Sequence, residues 1–234
     1  MNLHQARVAV LGGTGGVGEG IVRAFLKRGA RVAVPSRSQA KLERLRAYVD
    51  DIKTGQLVTL SGELSHPKAA SELRDDVQEQ IGTLDVTVAS LGGWTQGFPI
   101  RQVPFESWER ILRDNLTSHF LAMQAFMPLL SPGGGAYVHV NGLTAEQAYP
   151  GAGPVAAMAA AQKSLALTLA EEVRPLGLRA HEVILPPVNT RTRVQHGHGR
   201  PEWPSAEEVG DFIVELLERQ DPVVLHRLPP KQSE

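Results

Sequence analysis

The sequence predicts an α/β protein, doubly wound, with helices on both faces of a single parallel seven-stranded sheet. Three observations predict it. Short β-branched apolar runs alternate with longer segments of helical period. A glycine cluster follows the first of those runs. No Pro/Ser-rich linker, internal repeat or low-complexity tract divides the chain.

Seven strand candidates appear, at residues 7–11, 31–35, 57–60, 84–89, 135–140, 179–185 and 222–225, and helical stretches fill the gaps. The 234 residues, 42% hydrophobic, suffice for one well-buried core. One domain over residues 1–228 is the economical reading, with 229–234 as a loose C-terminal tail.

The 24 basic and 25 acidic residues are spread along the chain and leave a net charge of −1. No extended basic field is therefore expected for a phosphate backbone, and nucleic acid is not an expected partner. The absence of cysteine excludes disulfides, thiolate zinc sites and a cysteine nucleophile. Nowhere do eighteen apolar residues run together, so no membrane span is expected, and the N-terminal apolar run from Val8 breaks at once into glycines. The expected location is the cytoplasm.

The most informative segment is the strand ending at Leu11, then Gly12-Gly13-Thr14-Gly15-Gly16-Val17-Gly18, then a helix over 19–28. Glycines allow positive φ and close backbone approach. The free N–H groups and the positive end of the helix dipole favour a pyrophosphate. Gly12, Thr14, Gly16, Val17 and Gly18 are therefore candidate contacts to a dinucleotide in a Rossmann-type fold.

At the end of the second strand a carboxylate would bind the ribose hydroxyls of NAD and repel a 2′-phosphate. Ser36 and Arg37 stand there instead. A hydroxyl beside a planar guanidinium suits the phosphate of NADP. The expected cofactor is NADP, and the competing reading of Arg37 is an ordinary exposed loop arginine.

From these residues onward the sequence resembles the short-chain dehydrogenase/reductase family over nearly its whole length. The family's Thr-Gly-x-x-x-Gly-x-Gly matches at Gly12, Gly16 and Gly18, with Leu11 in place of the threonine. The acidic pair at the adenine matches Glu63-Leu64, and Asn-Asn-Ala-Gly falls on Ala89-Ser90-Leu91-Gly92. The resemblance thus implies cofactor contacts at Glu63, Leu64, Ser90, Leu91 and Gly92. It also implies a catalytic-site asparagine at Asn115, in Ser107-Trp108-Glu109-Arg110-Ile111-Leu112-Arg113-Asp114-Asn115-Leu116. Pro-Gly-x-Val-x-Thr meets Leu185-Pro186-Pro187-Val188-Asn189-Thr190, with proline in place of the glycine, leaving Val188 and Thr190 to meet the carboxamide.

The departure falls on the chemistry. Anchored at Val138-His139-Val140-Asn141-Gly142 and at Leu169-Ala170-Glu171-Glu172-Val173, one ungapped register puts the family's serine on Gly142, its tyrosine on Val155 and its lysine on Ala159. None of these side chains can donate a proton. Three residues stand near enough to be weighed as substitutes. Lys163 lies one helical turn, about 6 Å, beyond Ala159 and leans back toward it, but reads first as a solvated helix lysine. His139 sits within a strand and reads as a structural histidine. Tyr149 is in a turn with no lysine four residues on to acidify it. His196 and His198, in the stretch between 190 and 205 that reads as short and mobile, have no third ligand spaced beside them, so no metal is expected.

Two function classes remain open. One is an NADP(H)-dependent oxidoreductase with a non-standard active site. The other is a non-catalytic NADP(H)-binding sensor or partner subunit, motivated by the joint loss of residues whose general acid catalysis is typically worth ~10²–10⁴-fold. The resemblance further implies a homodimer, through the helices at 105–130 and 154–173.

Overall fold

The β-branched runs do become strands, because alternate residues of each find an apolar partner on each side of the sheet. The structure is a computed structural model that describes residues 1–231, so residues 232–234 of the expected tail lie outside the described residues. Seven parallel strands run β1 (Arg7–Leu11), β2 (Arg31–Ser36), β3 (Gln56–Ser61), β4 (Val86–Ala89), β5 (Ala136–Gly142), β6 (Arg179–Leu185) and β7 (Leu225–Arg227). Their spatial order is β3-β2-β1-β4-β5-β6-β7.

The helices are α1 (Gly18–Lys27), α2 (Gln39–Val49), α3 (Pro67–Ile81), α4 (Phe105–Ile111), α5 (Ser118–Phe126), α6 (Gly153–Val173), α7 (Arg191–Gln195) and α8 (Ala206–Arg219). Val8 and Val10 of β1, Val32 and Val34 of β2 and Val86 and Val88 of β4 pack against Ile21 and Phe25 of α1 and Ile213 of α8. The intervening Ala9, Leu11, Ala33 and Ala89 meet Leu73 and Val77 of α3 and Phe126 of α5 on the other face. This two-sided burial explains the nearly unbroken apolar strands. Among the described residues no helix is long and apolar enough to cross a membrane.

Local chemistry sets the helix ends. The Ser38 hydroxyl accepts from Lys41 N–H at 3.4 Å to cap α2. Ser205 and Glu208 cap α8 reciprocally, at 3.1 and 2.7 Å. Pro154 stands in the first turn of α6, where its missing N–H has no helical partner to lose.

Two strands start two or three residues later than expected. β4 begins at Val86 because Leu84 instead bridges to Leu130. β7 pairs from Leu225 rather than Pro222: proline has no N–H to give, and Val223 N–H is taken by the Asp221 carboxylate at 2.9 Å. The 190–205 stretch is also more built than a mobile loop. It holds α7, and the Asn189 side chain ties the backbone of Arg200 and Trp203 through three hydrogen bonds of 2.6, 3.0 and 3.0 Å.

Helices α1 and α8 approach through glycines. A Cβ at Gly20 would stand 2.1 Å from the Ala206 carbonyl oxygen, and one at Gly210 would stand 2.6 Å from that of Gly20. Alanine favours a helix by roughly 1 kcal/mol over glycine. The forced separation outweighs that gain, since overpacking typically costs ~1–3 kcal/mol. Gly20→Ala is therefore expected to lower the urea midpoint; an unchanged or higher midpoint would refute the close-packing account.

Candidate active site

In an open parallel sheet a ligand site forms where strand order reverses, and here that crevice lies between the ends of β1 and β4. The glycine turn fits its backbone into it. Gly12 has φ +83°, and a Cβ there would lie 2.1 Å from the Ser90 carbonyl oxygen. A Cβ at Gly18 would lie 2.1 Å from the Gly12 carbonyl oxygen, and one at Gly16 would press on Thr190 at 2.9 Å. The N–H groups of Gly16 and Val17, just ahead of α1, find no acceptor among the described residues. The one carboxylate in the first turn of α1, Glu19, is neutralised by Arg191 in a forked pair of 3.1 and 2.7 Å. Unpaired donors at the positive end of a helix, with the local acid cancelled, fit a pyrophosphate.

Two clefts meet at this turn. The first, about 420 Å³, is lined by Gly12, Thr14, Ser36, Arg37, Glu63 and Leu64. The second, about 780 Å³, is lined by Gly16, Val17, Gly18, Val188 and Thr190. Ser90, Leu91, Gly92 and Asn115 border both. All fifteen residues singled out from the sequence thus lie along one continuous cleft.

Lys41 also lines the first cleft and was not singled out. The Ser38 cap that places it one turn into α2 was its only signal in the sequence. Thr14 Oγ1 donates to Ser36 Oγ at 3.4 Å, and Ser36 Oγ accepts from Ser38 N–H at 3.2 Å. These bonds join the glycine turn to the end of β2. Arg37 is 72% exposed, and its one carboxylate neighbour, Glu63, lies at 3.9 Å.

Asn115 sits in a π-helical turn, Leu112–Thr117, between α4 and α5. The sequence pattern reads there as one continuous helix. Its side-chain oxygen accepts from Gly93 N–H at 3.1 Å and its amide donates to the Gly93 carbonyl at 3.0 Å. It thereby clamps the loop after β4. Its own carbonyl accepts from Gln162 Nε2 on α6. Gln162, 5% exposed, is a second cleft residue that the sequence did not mark.

Gly142, Val155 and Ala159 line the second cleft. Beneath them runs a buried polar chain. Asn141 Nδ2 donates to the Ala159 carbonyl and to Glu182 Oε1, each at 2.9 Å. Glu182 Oε2 accepts from His139 Nδ1, and both side chains are wholly buried. The His139 ring meets that of His119 at 4.4 Å between centroids, and His119 Nε2 donates to the Leu91 carbonyl at 3.3 Å. His139 is therefore committed to structure.

Lys163 is turned to Glu146, at 2.6 Å, and does not line the cleft. Arg227 and Lys163 together lower the Glu146 carboxyl to about 2. Tyr149 does reach the cleft, edge-on to Trp94 at 5.1 Å. The His196 ring bonds the Thr192 carbonyl at 2.7 Å, whereas His198 lines the second cleft.

The short chain dehydrogenase family profile matches residues 6–200. The chain belongs to that family. The chain is 27% identical over 225 residues to a 1-deoxy-11-beta-hydroxypentalenate dehydrogenase of Streptomyces exfoliatus, covering 93% of this chain and 81% of that one. It is 28% identical over 192 residues to a cis-2,3-dihydrobiphenyl-2,3-diol dehydrogenase of a Pseudomonas species, covering 76% and 66%. Among solved structures, a short-chain dehydrogenase/reductase of Serratia marcescens superposes with a TM-score of 0.86 at 21% identity, covering 97% of this chain and 98% of that one. A metagenomic short-chain oxidoreductase in complex with NADP does so with a TM-score of 0.83 at 21% identity, over 100% of both chains.

The surroundings of the buried histidines set the sign of a pH dependence of stability. Burial, with His139 beside it, holds His119 well below the ordinary histidine value. Burial lowers His181 on β6 to about 4. An unfolded chain binds these protons near pH 6.5, before the folded protein does. Their contribution is thus fully present above about pH 6.5 and is lost as pH falls toward 4. The melting temperature is expected to fall over that window, and less steeply in His119→Leu. A flat profile from pH 7 to 4 would refute it.

Proposed function

We propose that this protein is an NADP(H)-dependent oxidoreductase that works without the family's serine, tyrosine and lysine. The observation that carries the cofactor choice is the pairing of Arg37 and Lys41 beside Ser36 at one end of the cleft, with Glu63 too far from Arg37 for a close ion pair. The NADP in the metagenomic relative supports the same reading. Bound there, the nicotinamide would supply hydride chemistry. The chain's own residues bind and orient: Gly16 and Val17 N–H groups hold the pyrophosphate, Arg37 and Lys41 the 2′-phosphate, and Glu63 and Leu64 border the adenine. Val188 and Thr190 face the carboxamide, while Asn115 acts as a positioning residue through Gly93. With glycine, valine and alanine at 142, 155 and 159, the proton on a reduced substrate would come from a non-standard acid such as Tyr149, which lines the cleft, or from water, whose hydroxide returns to solvent.

That same triplet favours a second reading, a non-catalytic NADP(H) sensor or partner subunit. Fluorescence titration with NADPH, followed by turnover on a panel of carbonyl and alkene substrates, separates the two. Binding with turnover supports the oxidoreductase, and binding alone supports the sensor.

Charge-assisted hydrogen bonds typically contribute ~1.5–3 kcal/mol, so NADPH is expected to bind roughly ten- to a hundredfold more tightly than NADH. Arg37→Ala should remove most of that preference and Lys41→Ala a part. Equal dissociation constants for the two cofactors in the unaltered protein would refute the assignment.

The reading includes a homodimer through helices at 105–130 and 154–173. Phe105, Trp108 and Phe120 are 66%, 37% and 48% exposed on α4 and α5. Ala157, Ala160, Ser164 and Thr168 leave a small-residue face on α6. Together these offer a close, isologous helix contact. Light scattering at micromolar concentration is expected to give a dimer mass, and Phe120→Glu a monomer. A monomeric unaltered protein would refute it.

A further inference from the structure

We propose that the part of the second cleft around Trp203 is a subsite for a small aromatic carboxylate: Arg193 and Arg200 meet the carboxylate, and Trp94, Tyr149 and Trp203 flank the ring. The proposal deepens the oxidoreductase reading and rests on it for calling this half of the cleft the substrate side.

Charge is the first ground. No aspartate or glutamate lines the second cleft, whereas Arg193 and Arg200 both do. Their guanidinium carbons lie 5.1 and 5.3 Å from the centre of the Trp203 ring. Two like charges gathered on one indole repel each other unless an anion joins them. Arg193 has one bond, from Nη1 to the Val188 carbonyl at 2.7 Å, which leaves other N–H groups of its fork unspent. The carboxylate nearest Arg200 is Glu202 at 3.9 Å, on a side chain 43% exposed, which offers little neutralisation.

Construction is the second ground. Arg200 and Trp203 are held by the three Asn189 hydrogen bonds, and Trp203 N–H also donates to the Arg200 carbonyl at 3.1 Å. The backbone of the pair is therefore set before any ligand arrives, which lowers that part of the ordering cost of binding.

Shape is the third. Trp94 and Tyr149 remain 50% and 39% exposed although they pack edge to face at 5.1 Å. Their loops are tied together by Gly97 N–H to the Gly151 carbonyl at 3.0 Å and Gln96 Nε2 to the Pro150 carbonyl at 3.1 Å. Fixed, half-exposed aromatic rings in a cleft of about 780 Å³ suit a flat apolar ligand. The dinucleotide does not need these arginines for its own charge. Its pyrophosphate meets the start of α1, and its third phosphate meets Arg37 and Lys41.

Tryptophan fluorescence and calorimetric titrations of the whole protein, with and without saturating NADP⁺, test the subsite with benzoylformate, its uncharged methyl ester and the ringless acid pyruvate. Benzoylformate is expected to bind about ten- to a hundredfold more tightly than the ester, and severalfold more tightly than pyruvate. Arg193→Met/Arg200→Met should bring benzoylformate to the level of the ester while the dissociation constant for NADPH stays within about twofold. Arg200→Met alone, which disturbs no backbone bond of the guanidinium, should lose part of the preference at unchanged melting temperature. Equal affinities for benzoylformate and its ester would overturn the proposal. So would a loss of NADPH affinity in the double variant matching the loss for the acid, since the guanidinium groups would then belong to the dinucleotide. Should NADPH fail to bind while the acid is still preferred over its ester, the subsite stands and the cofactor reading falls.

Discussion

Everything in the cleft depends on how closely two backbones approach where β1 and β4 part. The 2.1 Å separations that a Cβ would meet at Gly12 and Gly18 leave no room for any side chain. With glycine there, the loop after β4 can lie against the turn before α1, and a single surface carries Gly16 and Val17 on one side and Ser90 to Gly92 on the other. Gly92, at φ +88°, continues the same packing: a Cβ there would meet Asn115 Oδ1 at 2.8 Å. The dinucleotide groove is thus a by-product of three missing side chains and one asparagine that locks the result through Gly93.

Under the second cleft a different constraint operates. Glu182 has no exposed surface, and a carboxylate so placed persists only with full hydrogen bonding. His139 and Asn141 provide it, and Asn141 passes the restraint on to the Ala159 carbonyl of α6. Such a network is weak evidence for stability, because burying polar groups offsets much of what their hydrogen bonds contribute. Its structural consequence is positional: β5 and β6 cannot slide past each other without leaving Glu182 unpaired, and α6 cannot shift without breaking the Asn141–Ala159 bond. The helix that carries Val155 and Ala159 is therefore held both by Asn141 and by its own Gln162, which donates to the Asn115 carbonyl.

What could be read from the sequence follows from the range of each interaction. The parallel sheet and its residues were legible because two-sided burial writes itself locally, as at Arg7–Leu11 and Arg179–Leu185. The glycine turn and the Ser36-Arg37 pair were legible for the same reason, since their partners lie within one strand-turn-helix unit. Lys41 needed the Ser38 cap to be counted as geometry. Gln162 was hidden because its partner, the Asn115 carbonyl, is exposed by a π turn that leaves the apolar period of the helix intact. Arg200 and Trp203 come from a segment held by Asn189, a single side chain with no periodic signature.

Charge shows the same limit most sharply. A net charge of −1 describes a nearly neutral chain, yet the residues along the cleft include Arg37, Lys41, Arg110, Arg113, Arg193 and Arg200 against Glu63 and Asp114. The acids that balance the total lie outside the cleft, as Glu43, Asp76, Glu79 and Glu215 do. Walls of low dielectric focus what remains into the groove, so an anion meets a positive field there that the average over the chain conceals. A groove of that shape and sign selects for compact, multiply charged anions, and for flat ones at its Trp203 end.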